Sequence, residues 1–162
     1  MLKSEIKTKL DEQLNLEIFS VNLYLQMSSW CKNKGFEGVS SFFKKQSQEE
    51  NNHIYRLFDY LNDIGTMPIV GYIKAPPIDY SSLTELIQIA YQHEQNLTQN
   101  INQLVHTAIT LQDYSTFYFL QWYIAEQQKE ENRFKYILDQ LKLVNINYNG
   151  IFLIDQMFKT LS

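Results

Sequence analysis

A chain of 162 residues, 44% of them hydrophobic and 20% charged, has the size and balance of one globular domain. Fourteen basic and 18 acidic side chains give a formal net charge of −4, and with only two arginines, Arg56 and Arg133, the dense basic face that nucleic acid requires is missing. One cysteine (Cys31) allows neither an internal disulfide nor a cysteine-based metal site, three histidines (His53, His93, His106) are too few for a His-rich zinc centre, and no apolar run reaches signal-peptide or membrane-spanning length, so a soluble, cytoplasmic protein with no membrane partner is expected.

Helix breakers are few and clustered. Gly35 and Gly38 form the first group, Gly65, Pro68, Gly71, Pro76 and Pro77 the second, and the run from Asn145 to Gly150 the third. From about Ser4 to Lys34, Ile6, Leu10, Leu14, Val21, Tyr24 and Ser28 recur at helix spacing. From about Glu37 to Ile64, Phe43, Leu57 and Leu61 do the same. A third helix begins at Ser82, where Ser82-x-x-Glu85 reads as a capping box, and carries Leu83, Ile87, Ala90, Leu97, Ile101, Leu104 and Ala108. Asp113 can cap a fourth helix with Phe117, Leu120, Phe134, Leu138 and Leu141 in register. A short fifth helix, near Ile151 to Thr160, carries Ile151, Ile154 and Phe158.

The sequence therefore predicts an all-α fold, a single domain over 1–162. Short links make helices one and two, and three and four, antiparallel hairpins. The proline-bearing segment 65–81 is long enough to travel the length of a bundle, so the two hairpins are joined by one long crossover.

Each long helix carries polar residues where its stripe should be apolar. Glu17 interrupts the first; Gln46, Glu50 and His53 the second; Glu94 the third; Gln127 and Glu130 the fourth. The spacing repeats. Glu17 to Glu50 and Glu94 to Gln127 are each 33 residues, and Glu17 to His53 and Glu94 to Glu130 are each 36, so the second hairpin repeats the first at an offset of 77. Each half supplies one acid and an i, i+3 pair, Glu50-x-x-His53 or Gln127-x-x-Glu130, which shares one helix face. Four inward carboxylates need compensation, since a buried, unpaired carboxylate costs several kcal/mol or takes up a proton. Two divalent cations would supply it, and oxygen-rich ligation with one imidazole suits iron or manganese. One mid-helix glutamate alone reads as solvated; five ligand-type residues on four stripes do not. His93, His106, Cys31, Trp30 and Trp122 read as packing or surface residues.

The chain resembles the bacterial non-haem ferritins over essentially its whole length. The resemblance rests on Asn15-Leu16-Glu17, the run Leu23 to Cys31, Gln48-Glu49-Glu50-Asn51-Asn52-His53 and Phe119-Leu120-Gln121-Trp122-Tyr123. It implies a ferritin-like four-helix bundle and a ferroxidase centre of two irons per subunit. Glu17, Glu50 and His53 would hold one iron, and Glu50 would bridge to a second held by Glu94 and Glu130, with Gln127 as a weak ligand or hydrogen-bonding neighbour. Tyr24, seven residues after Glu17 on the same face, matches the tyrosine beside that centre; a packed core tyrosine is the competing reading. The resemblance further implies oxidation of ferrous iron by dioxygen or peroxide, and a homo-oligomeric shell of 24 subunits storing ferric mineral. The fifth helix either packs on other subunits or folds back on its own bundle.

Two departures qualify the resemblance. Asn52 and Gln127-x-x-Glu130 stand where haem-binding relatives carry a methionine and a second Glu-x-x-His, so no haem is expected. An auxiliary third iron site would use Glu49, Glu126 and position 129, but 129 is Lys129, an ammonium that cannot ligate while protonated and that can pair with Glu126. Lys129 is therefore expected to weaken or abolish the third site, and Lys129→Glu to restore it. Alternative readings are a carboxylate-bridged di-iron enzyme acting on an organic substrate, and an assembling homologue that oxidises iron poorly. A plain helical interaction bundle leaves four acids unexplained.

Overall fold

The scarcity of breakers leaves long uninterrupted runs, and the computed structural model folds them into α1 (Ser4–Asn33), α2 (Glu37–Asp63), α3 (Leu83–Thr110), α4 (Tyr114–Leu143) and α5 (Tyr148–Leu161). The structure describes residues 2–144 and 148–161, so part of the predicted Asn145–Gly150 breaker cluster lies outside the described residues. Helix boundaries fall within one or two residues of expectation for the first four elements, because local chemistry sets them. Gly35, at φ +87°, closes α1 by donating to Lys32 O while Phe36 N donates to Cys31 O. Ser82 Oγ accepts from Glu85 N at 3.1 Å. The Glu85 carboxylate turns back to Ser81 N, so the capping box is shifted by one residue. Asp113 Oδ1 accepts from Thr116 N at 3.0 Å and starts α4.

The crossover follows α1. Ile69 N donates to Asp11 Oδ1, Gly71 N to Asn15 Oδ1, and the Trp30 indole N–H to Asp79 Oδ1. Segment 69–79 therefore runs beside α1 from Asp11 to Trp30, a rise of about 28 Å at 1.5 Å per residue. α3 consequently starts at the same end of the bundle as α2, and the fold is two hairpins joined by one long crossover.

The core divides in two. At one end Leu23, Met27, Phe42, Phe43, Ile87 and Phe134 pack together. At the other Ile6, Leu10, Leu14, Leu57, Leu61, Ile101 and Leu120 do so. Between them lies a buried polar layer. α5 packs on α2 and buries Ile154 and Phe158 in the chain's own core. The approach is close: Val39 N donates to Asp155 Oδ1, and a Cβ on Gly38 would lie 2.0 Å from Asp155 O. Of the two destinations open to that apolar face, the structure has the bundle itself, while Phe152 and Leu153 on the other side of α5 remain exposed. Among the described residues no helix is long and apolar enough to cross a membrane.

Candidate metal centre

Helical periodicity points Gln13, Glu17 and Tyr24 inward from α1, Gln46, Glu50 and His53 from α2, Glu94 from α3, and Tyr123, Gln127 and Glu130 from α4. All are buried. The structure brings three of the predicted ligands into one group. His53 Nδ1 lies 3.0 Å from Glu50 Oε2 and 3.5 Å from Glu17 Oε2, and one ligand atom from each residue falls within 4.8 Å of the others. Despite that proximity, none of these three buried atoms makes a hydrogen bond of acceptable geometry. Buried polar atoms are normally satisfied. Here the three atoms converge on a common point, an arrangement that suits a positive charge, whether a proton on His53 or a metal cation.

The other oxygen of each acid is held in place. Gln13 donates to Glu17 Oε1 at 2.7 Å, and Gln46 reaches Glu50 Oε1 at 3.4 Å, each from one helical turn earlier. Tyr123 donates to the His53 carbonyl at 2.6 Å, and the Trp122 ring meets the imidazole edge-on at 5.2 Å. These contacts orient the ligand atoms, as outer-shell groups do around metals.

Glu94, Gln127 and Glu130 stand beside this group but are differently engaged. The Tyr24 hydroxyl donates to Glu94 Oε1, and Gln127 Nε2 donates to Glu94 Oε2 at 3.1 Å. Glu130 Oε2 accepts from Gln46 Nε2 at 2.7 Å and from Arg133 Nη1 at 3.4 Å, while Glu130 Oε1 is buried without a partner. Tyr24 is thus a buried tyrosine with a bonded hydroxyl, and that bond reaches a predicted ligand. Glu49 and Glu126 lie at the outer edge, part-buried, with Arg133 on Glu49 and Lys129 on Glu126, both at 3.1 Å.

Proton affinities record the crowding of negative charge. Burial raises the Glu50 carboxyl well above its ordinary range, with His53 opposing and Glu94 and Glu17 adding to the rise. Burial also lifts Glu94 to about 7, and raises Glu130 although Arg133 opposes it. For His53 burial would favour the neutral ring, but the Glu17 and Glu50 carboxylates outweigh it and raise the imidazole to about 11. Burial would raise Glu17 too, but the neighbouring His53 outweighs it and holds that carboxyl below its usual value. Without a metal, a proton on His53 carries the compensating charge. A divalent cation would displace it.

Three supporting groups escaped the sequence reading. Gln13 was unmarked, Gln46 stood only as a stripe defect, and Arg133 appeared only in the arginine count. Gln13 and Gln46 are themselves 33 residues apart, four before Glu17 and Glu50, so the repeat that revealed the acids also contains their donors. His93, read as packing or surface, is half-buried against Phe19 and Tyr24 with Ser20 Oγ 2.7 Å from Nε2, and burial lowers it to about 4. Cys31 is fully buried as expected, and burial pushes its thiol up to about 12.

Residues 7–144 match the family model of the ferritin-like domain. The chain is 50% identical to a bacterial non-heme ferritin of Escherichia coli O157:H7 over 161 residues, covering 99% of this chain and 98% of that one. It is 40% identical to the bacterial non-heme ferritin of Campylobacter jejuni, covering 100% and 97%. Among solved structures it superposes on an open-pore ferritin from Archaeoglobus fulgidus with a TM-score of 0.95 at 31% identity, covering 98% of both chains. A Chlorobium tepidum ferritin gives a TM-score of 0.89 at 41% identity, covering 97% and 96%.

Proposed function

This chain belongs to the ferritin-like family, and from that membership we propose that it is an iron-storage protein with ferroxidase activity, a single domain over residues 1–162. Two ferrous ions are its substrate. The first is held by Glu17 Oε2, Glu50 Oε2 and His53 Nδ1; the second by Glu94 and Glu130, with Glu50 bridging and Gln127 close by. The observation that carries this reading is the convergence of three buried ligand atoms from two helices on one point, none of them in a hydrogen bond. Oxygen ligands and one imidazole suit iron, and clustered carboxylates favour the higher charge of the ferric state.

The chain's part in the reaction is positional and electrostatic. Gln13 and Gln46 present one oxygen of Glu17 and Glu50 inward. Arrival of a cation expels the proton from His53 and from the raised carboxyls. At the second position Glu94 ligates with a lone pair that its bonds from Tyr24 and Gln127 leave open, or by releasing one of them. Dioxygen or peroxide accepts the electrons, and the ferric product leaves for storage as mineral inside a homo-oligomeric shell of 24 subunits in the cytoplasm. No haem takes part. A groove of about 510 Å³ lined by Phe19, Tyr72, His93 and Asn96 lies outside the centre, and a smaller one of about 240 Å³ reaches only Gln127 of the six proposed ligands.

Ferrous iron added in air to the metal-free protein tests the proposal. Stoichiometric oxidation, retention of iron in the protein fraction and a particle mass near 24 chains are expected. Slow oxidation that Glu17→Ala leaves unchanged would refute it.

A further inference from the structure

Arg133 makes the densest set of polar contacts at the outer edge of the polar layer. Its Nη1 donates to Gln46 Oε1 at 2.9 Å and Glu49 Oε2 at 3.1 Å, and lies 3.4 Å from Glu130 Oε2. Gln46 returns a hydrogen bond to that same Glu130 oxygen at 2.7 Å. The outer oxygen of Glu130 is therefore doubly occupied, while Oε1, on a side chain that is 0% exposed, has no partner. Lys129 sits differently: its side chain is 57% exposed and it reaches only Glu126. An arginine presents several fixed donors, always charged, and suits several acceptors at once; a lysine ammonium on a flexible stem is easily displaced.

We infer that Arg133 is the resident cation of this outer edge, a positioning residue that occupies Glu49 and one oxygen of Glu130, bars an additional metal ion there, and leaves Glu130 Oε1 as the single oxygen offered to the centre. Lys129 pairs with Glu126 as its spacing predicts, and Arg133 covers the other two acids of that edge, Glu49 and Glu130. Lys129→Glu alone therefore restores no further site, because Arg133 still covers Glu49 and Glu130. The inference rests on the proposed paired-metal centre for what Oε1 is offered to, but the exclusion of an outer cation stands on the Arg133 contacts alone.

Zinc, which has no redox chemistry, tests this without turnover. The metal-free protein, Arg133→Met, Arg133→Lys and Lys129→Glu would each be titrated with Zn²⁺ by calorimetry. Methionine keeps much of the arginine stem and removes the charge. Arg133→Met is expected to take up one more tight Zn²⁺ per chain than the unaltered protein, or to bind its weakest tight ion about five- to tenfold more strongly. Arg133→Lys and Lys129→Glu keep the original count. A purely structural role would lower the count in Arg133→Met, so a fall or no change there overturns the inference, as does a gain in Lys129→Glu alone. A count below two in the unaltered protein would instead overturn the paired-metal reading, and the difference between it and Arg133→Met would still judge Arg133.

Discussion

In the first hairpin Glu17 and Glu50 each receive a glutamine from one turn earlier on one oxygen and turn the other toward His53 Nδ1 without a hydrogen bond. In the second hairpin Glu94 has both oxygens bonded from across the bundle, by Tyr24 and Gln127, and Glu130 has one bonded by Gln46 and Arg133. The hairpins share their spacing, so the difference comes from what the offset of 77 places around the acids. It carries Gln13 onto Ala90, which has no donor to offer Glu94, and Gln46 onto Tyr123, whose hydroxyl goes to the His53 carbonyl. It carries Tyr24 onto Ile101, so Glu17 has no counterpart of the hydroxyl on Glu94. It also relates the two arginines: Arg56 lies over the Trp122 ring at 4.5 Å, while Arg133 is on Glu49 and Glu130. Repetition preserved the inward polar positions; in the first half three ligand-type atoms converge without hydrogen bonds, and in the second all the carboxylate oxygens but Glu130 Oε1 are held by the protein's own donors.

The largest expected effect comes from breaking the converging group of the first half. Glu17→Ala or His53→Ala should lower the initial rate of ferrous oxidation by roughly 100-fold or more, since losing an orienting neighbour alone costs about 10–100-fold in metal affinity. Glu94→Ala should cost less in binding the first ion, because Glu94 is not in the converging group. Anaerobic titrations of the three variants check the order. Equal losses of first-ion affinity would erase the distinction between the halves.

The next effect is on stability against pH. His53 at about 11 in the folded state and 6.5 unfolded contributes stability that is full below pH 6.5 and is lost as pH rises toward 11. Glu50, raised well above 4.5, works in the same direction, because the folded chain holds a proton that the unfolded chain has released. The metal-free protein should therefore lose stability between pH 7 and 9, by at most about 1.4 kcal/mol per pH unit from His53. His93 does not contribute there, because its effect lies below pH 6.5. Saturating divalent cation should flatten the slope. Melting curves with and without zinc measure it, and a metal-free stability that rises over this interval would contradict the assignment.

Gln13→Ala should be milder, costing the metal-free fold about 1 kcal/mol for one hydrogen bond and the first cation up to about tenfold in affinity. The smallest expected effect lies at the hairpin turns, which the same offset relates. Gly35, at φ +87°, corresponds to Gln112, held at φ +56°. Both close their helices with the same pair of backbone bonds. Gln112→Gly should stabilise the fold by up to about 1 kcal/mol and Gly35→Gln should destabilise it by a similar amount, read as shifts in denaturant midpoint.

The four long helices and the buried acids were legible in the sequence because helical periodicity is strong over about 28 residues and an acid in an apolar stripe stands out. The glutamines beside them were not, since a neutral amide on an inner face is a weak signal. The reach of Arg133 from α4 to Glu49 and Gln46 on α2 was invisible for another reason: it depends on the register between two helices, which no spacing within one helix fixes. Gly38 has a second use, although the helix from Glu37 that contains it was expected. Read as a breaker, it is the second residue of α2 and the site where the α5 backbone comes close enough to exclude a side chain. The pairing of Lys129 with Glu126 was read correctly from i, i+3 spacing, but the stronger cation at that edge was the one whose contacts cross between helices.

Anomalous diffraction at the iron edge, from crystals soaked anaerobically with ferrous iron, tests the central claim most directly. The account predicts a first peak within coordination distance of Glu17, Glu50 and His53 Nδ1 at low iron, and a second bounded by Glu94 and Glu130 as iron rises. Peaks confined to surface carboxylates, with the Glu17–Glu50–His53 group still paired to itself, would contradict it.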